Sequence, residues 1–166
     1  MSYAETILPE FDQEMASTRK VLERIPEDKL DWRAHPKSNT IGWNANHLAD
    51  LPNWLVLTFT TSSLDIAPVG GEPYKFPKGT TRQAILDTFD RNVAAAREAL
   101  KAVKDEEVGQ MWTLLQAGQP IFTMPRAVVV RSFVLNHIIH HRAHLCVYLR
   151  LNDIPVPGIY GPSGDE

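Results

Sequence analysis

Apolar residues spaced alternately four and three apart dominate this chain, and that period constrains its fold more than any other feature. Phe11, Met15, Thr18, Leu22 and Ile25 mark the buried face of a first helix over about residues 5–24. Pro9 fits its first turn, where no amide partner is needed, and Pro26 closes it. A second helix starts near Thr40, with Ser38, Asn39 and Thr40 all able to cap it, and carries Ile41, Trp43, His47, Leu48, Leu51, Trp54, Leu55 and Thr58. Pro52 lies inside this pattern and removes one backbone donor, which predicts a kink. A third helix runs from the Thr80-Thr81-Arg82-Gln83 capping-box pattern to about Lys104, burying Ile85, Phe89, Val93, Ala96, Leu100 and Val103. A fourth begins at Pro125 and lasts to about Leu151.

The segments between these helices differ in kind. Residues 27–38 read as a loop. Residues 62–79 hold three prolines and three glycines and read as a long connection. Met111–Leu115 and Ile121–Met124 flank Gln116-Ala117-Gly118-Gln119, the pattern of a small β-hairpin. The tail Ile154–Glu166 reads as extended. The expected fold is all-α: a four-helix bundle with a small β-hairpin between helices 3 and 4.

Composition adds exclusions. A chain of 166 residues, 43% hydrophobic and 22% charged, suits one domain, 1–166. The net charge of −3 comes without a basic run, so no nucleic-acid partner is expected. No apolar run approaches the ~20 residues of a membrane span. Met1-Ser2-Tyr3-Ala4-Glu5 lacks the pattern of a secretory signal, which favours a cytoplasmic protein. The single Cys146 allows neither an intrachain disulfide nor a multi-thiolate metal site.

Histidine is the anomaly. Of six in the chain, His137, His140, His141 and His144 fall within eight residues. On a wheel of about 100° per residue these four share one sector with Val130, Phe133, Val134, Tyr148 and Leu151, which places them on the core-facing stripe. His47 shares a sector with Trp43, Leu51, Trp54 and Thr58 and also faces inward. Buried imidazoles without partners cost free energy, whereas imidazoles from two packed helices can share a metal at nitrogen–metal distances of about 2.0–2.1 Å. His137 and His141 have the H-x-x-x-H spacing of helical metal sites, with Ile138 where a zincin carries Glu. His47, His137 and His141 are therefore the expected ligands of a divalent ion. His140 and His144 read as pocket or ligand-supporting residues, although His144 could itself be a ligand. Asp50 is a candidate to orient a ligand or act as a base, Trp43, Trp54 and Tyr148 to line a pocket. Arg142 reads as a structural ion-pair partner and His35 as a surface residue.

The run Asn136-His137-Ile138-Ile139-His140-His141-Arg142-Ala143, with Val147-Tyr148-Leu149-Arg150 and the tail Pro155–Ser163, closely resembles the DinB family. So do Trp32-Arg33, His35-Pro36-Lys37-Ser38 and His47-Leu48-Ala49. The resemblance implies a DinB/YfiT-like bundle that forms a homodimer, with a three-histidine site for nickel or zinc. Matched by position, its ligands fall on His47, His137 and His141. His144 departs from the pattern, because many relatives carry Gln there. The implied activities are thiol transfer with a low-molecular-weight thiol, thiol-dependent isomerisation or metal-dependent hydrolysis of a small-molecule substrate. Outside the resemblance, a non-catalytic metal store or sensor and a metal-free structural bundle are the alternatives.

Overall fold

A computed structural model describes residues 1–166. Its long helices are α1 (Tyr3–Leu22), α2 (Ile41–Thr60), α3 (Arg82–Ala102) and, after the one-turn α4 (Arg126–Val128) and a π-helical stretch (Val129–Leu135), α5 (Asn136–Leu151). α1 and α2 each pack against both α3 and α5. Phe11, Met15, Leu22, Leu48, Leu55, Ile85, Phe89, Leu100 and Leu145 are among the residues of the single core between them. No helix is long and apolar enough to cross a membrane.

Helix starts follow local hydrogen bonding, and two differ from expectation. α1 begins at Tyr3, because Ser2 and Glu5 form a reciprocal capping box. Pro9 therefore lies beyond the first turn. α3 is capped by Thr81, whose hydroxyl accepts from the Ala84 amide, while the Gln83 side chain bonds Asp87 and completes no box. Thr40 is the residue that caps α2, accepting from the Trp43 amide, and α2 stays helical through Pro52.

The chain is not purely helical. Three strands, β1 (Ser63–Asp65), β2 (Met111–Gln116) and β3 (Gln119–Pro125), form one sheet in the order β1-β2-β3. β2 and β3 are antiparallel, with a register irregularity between Leu114 and Leu115. β1, which falls in a segment read from sequence as connection only, pairs parallel to β2 with Leu64 opposite Leu114. Three residues are too few to show the alternation that identifies a strand. Asp65 locks the sheet: its carboxylate accepts from the Ala117 and Gly118 amides of the β2–β3 turn. That turn has positive φ at both Ala117 (51°) and Gly118 (75°), which alanine tolerates poorly. Fixing its amide offsets part of that cost.

The rest of the 62–79 connection is tied to one face of α2. Asn46 donates to the Gly79 carbonyl at 2.9 Å and accepts from its amide at 2.6 Å. Asp50 and Asn53 both bond the Tyr74 hydroxyl. A Cβ on Gly79 would stand 2.8 Å from Ile85 Cγ1, so the close approach needs glycine. The tail is likewise ordered: Asp165 pairs with Arg150 and accepts from the Val156 amide.

Candidate metal centre

α2 and α5 pack against each other, and the facing turns carry the histidines. His47 Nε2 lies 3.2 Å from His137 Nε2. The ring centroids of His47, His137 and His141 form a near-equilateral triangle with sides of 4.8, 4.8 and 4.7 Å. One nitrogen from each lies within 4.8 Å of the others. Two nitrogens bound to one ion at about 2.1 Å, with angles from octahedral to tetrahedral, would stand about 3.0–3.4 Å apart. The His47–His137 separation already falls in that range.

The His141 tautomer follows from its neighbour. Asn44 Nδ2 donates to the Thr40 carbonyl, which leaves its Oδ1 facing His141 Nδ1 at 3.0 Å. Oδ1 can only accept, so Nδ1 carries the proton and the lone pair of His141 is on Nε2. Sequence reasoning missed Asn44. Its signal is position, three residues before His47 and close to it on the helix wheel.

Burial keeps the three rings neutral. His47 is pushed down to about 4, chiefly by burial and then by the facing His137. His141 is pushed down to about 3, by burial first and then by His47, His137, His140 and His144. His137 is also lowered, by burial and by His140, with the Phe133 backbone opposing. Its Nε2 faces His47, and its buried Nδ1, on the other side of the ring, makes no well-formed hydrogen bond. Three neutral imidazoles whose nitrogens converge, with Nε2 of His47 and His137 facing each other, form a donor set that suits zinc, nickel, copper or iron. The residues fit a divalent transition-metal ion.

The other candidates are placed differently. The core face of α5 is made by Ile138, His141, Arg142, Leu145, Tyr148 and Leu149. On the same wheel it centres about 80° from His137, so His137 lies at its edge. His140 and His144 are exposed, not inward-facing, and so is Leu151. The π-helical stretch before them breaks the 100° step on which the wheel depends. Asp50 does not orient His47: its two oxygens accept from Trp54 Nε1 and the Tyr74 hydroxyl, both at 2.9 Å. Trp54 is buried against Tyr74 and Phe133, and Tyr148 packs edge-on against Trp32. Trp43 does flank the centre, stacked on His47 at 4.8 Å. Phe133, in the π-helical stretch, covers His137 at 5.4 Å. Cys146 is half-buried, and burial raises its thiol.

A cavity of about 730 Å³ opens beside the cluster, reaching it through Trp43 and His47. Its other walls come from the segment after α1, with Glu27 and Asp28 in a 3-10 turn and Asp31 beyond it, and from the connection, with Phe76 and Lys78.

Comparison with known proteins agrees in extent with this architecture. The family model described as the DinB superfamily matches residues 10–145. The uncharacterized protein YrdA of Bacillus subtilis (strain 168) is 28% identical over 160 residues, covering 96% of this chain and 89% of that protein. Among solved structures, a DinB-like protein from Bacillus cereus ATCC 10987 superposes with a TM-score of 0.71 at 25% identity, covering 94% of this chain and 97% of that one. The DinB-like protein YjoA of Bacillus subtilis shares the fold, with a TM-score of 0.68 at 12% identity over 95% of this chain and 99% of that one.

Proposed function

This chain belongs to the DinB superfamily, and on that footing we propose that it is a metal-dependent enzyme holding a divalent ion, nickel or zinc, on His47, His137 and His141. The observation that carries the reading is the convergence of three neutral imidazoles from two helices, with a cavity beside them. When bound, such an ion acts as a Lewis acid and lowers the pKa of a thiol or water attached to it. The residues of the chain supply position and shielding. Asn44 holds the His141 ring in one tautomer, and Trp43 and Phe133 cover the flanks of the cluster.

Thiol transfer fits these surroundings better than hydrolysis. A hydrolase needs a base near the bound water, and no carboxylate belongs to the ligand group around His47; the acids that line the adjoining cavity are Glu27, Asp28 and Asp31. Asp50 is committed to Trp54 and Tyr74. A transferred thiol arrives with its own nucleophilic sulfur, and the half-buried Cys146 lies outside the ligand groups and supplies none. The substrate would be a small molecule seated between the loop after α1 and the 62–79 connection, with a low-molecular-weight thiol as its partner. The wider reading is a cytoplasmic four-helix bundle, 1–166, acting as a homodimer.

Metal analysis of the purified protein, followed by conjugation and hydrolysis screens with Ni²⁺ or Zn²⁺, tests the proposal. The expected result is one ion per chain, lost in His137→Ala and His141→Ala, with metal-dependent conjugation of a thiol. Undiminished metal binding in both variants would overturn the site. Tight binding without turnover in either screen would make the protein a metal store or sensor.

A further inference from the structure

His140 and His144 are left over by the inner cluster. They are four apart on α5, on its exposed side, and their rings approach to 4.3 Å between centroids, the closest pair among the histidines. The imidazole hydrogen bonds of this chain belong to His35, His47, His137 and His141. His140 and His144 make none, so each offers a free nitrogen to solvent. With His141 they form a second group whose ligating nitrogens lie within 4.8 Å of one another. The chain therefore presents two histidine groups, one half-buried and one open, joined at His141.

We propose that His140 and His144 form a second, solvent-facing site for a divalent transition-metal ion, a capture point from which the ion passes to the inner cluster through His141. An exposed i,i+4 imidazole pair needs no backbone rearrangement to chelate, because both side chains project from one face. It can replace the first water ligands of a hydrated ion while the rest remain in solvent. The inner cluster is less accessible, flanked by Trp43 and Phe133. His141 links the two. Its Nδ1 proton is given to Asn44, so only Nε2 can bind metal. It can serve one ion at a time, and the full outer and inner ligand sets exclude each other. That exclusivity makes the outer group a station on a route, not a second permanent centre. The destination rests on the metal reading of the inner cluster; the outer site itself does not.

Calorimetric titration with Ni²⁺ and stopped-flow loading from Ni²⁺ test this on the full chain. The parent should show a tight class and a weaker class of site, the weaker one held by His140 and His144 alone once His141 serves the inner ion. His140→Ala/His144→Ala, which alters only exposed side chains, should keep the tight class, lose the weaker one and load several-fold more slowly. His47→Ala/His137→Ala should lose the tight class and keep the weaker one, because His140, His141 and His144 remain. An isotherm unchanged by the His140→Ala/His144→Ala pair would overturn the outer site. A lost weaker class with an unchanged loading rate would overturn the passage to the inner cluster. If the parent has no tight class, the proposed metal function fails, while the outer site is still decided by the first pair of substitutions.

Discussion

Neighbouring residues of α5 anchor two buried polar clusters built on opposite logic. His141 faces α2 and its cluster is open: three neutral rings converge, with the Nε2 atoms of His47 and His137 facing at 3.2 Å. Arg142 faces α1 and its cluster is closed. The Arg142 and Glu14 side chains are only 3% and 7% exposed and pair at 2.6 Å. Arg142 also donates to the Glu14 carbonyl, the Thr18 hydroxyl and the Tyr160 hydroxyl. Tyr160 in turn contacts both carboxylate oxygens of Glu14 at 2.9 and 3.0 Å. A buried charge is tolerable when it is paired and hydrogen-bonded, so the Arg142 cluster is complete within the chain. The histidine cluster is not: Nε2 of His47 and Nε2 of His137 face each other with no charged partner among them, and that facing pair is what points to a ligand.

The largest effect should come from opening the closed cluster. Glu14→Ala leaves Arg142 buried without a counter-charge, which costs about 3–5 kcal/mol. The urea midpoint should fall accordingly, while Ni²⁺ affinity of the folded protein stays at the parent value. His141→Ala should remove tight metal binding and cost metal-free stability less than Glu14→Ala, because it leaves unpartnered only the neutral Asn44 Oδ1 and no buried charge. If His141→Ala destabilises the metal-free chain as much as Glu14→Ala does, the two clusters do not differ in kind.

Next in size is the support of the open cluster. Asn44→Ala removes the acceptor that fixes the His141 tautomer, and loss of such a partner typically costs about 10–100-fold in metal affinity. Competition with a chromophoric chelator measures this. An unchanged affinity would mean that packing, not the Asn44 bond, orients the ring. Smaller again is Tyr160→Phe, which takes one hydroxyl from the closed cluster and should cost about 0.5–1.5 kcal/mol. It should leave metal affinity untouched, because Tyr160 ties the tail to α1 and α5 and reaches no histidine of the centre.

Which parts were legible in the sequence follows from the range of the interactions. The four long helices were, because apolar period and caps are local. The meeting of His47, His137 and His141 was also legible, since i,i+4 spacing sets two rings on one turn and the third lies on an inward face of another helix. The hairpin could be seen from its turn residues, but β1 could not. Its three residues become a strand only through pairing with β2, fifty positions away. The π-helical stretch left no local mark, and it took Val130, Phe133 and Val134 out of phase with the histidines of α5. The roles of Asn44, Glu14 and Asp50 depend on partners from 24 to 146 residues distant, beyond what spacing on one helix can report.

Asp50 is intermediate between the two clusters, and it gives the smallest and most specific prediction. Its carboxyl is buried like Glu14, but its donors, Trp54 and Tyr74, are neutral. Burial raises its pKa, and the two hydrogen bonds only partly oppose this. A carboxyl raised in the native state binds its proton more tightly there than in the unfolded chain. Stability therefore falls as pH rises from the ordinary aspartate value, about 3.9, through the raised native one. Asp50→Asn keeps an amide in the same place and cannot ionise. The Tm of the variant, taken relative to the parent at each pH, should climb from pH 4 towards neutrality. Ionisation of the histidines has the opposite sign, since their lowered values cost stability as pH falls, but it is common to both proteins and cancels in the difference. A Tm difference that stays flat across that range would show that the Trp54 and Tyr74 bonds fully compensate the buried charge. Asp50 would then belong with the closed cluster.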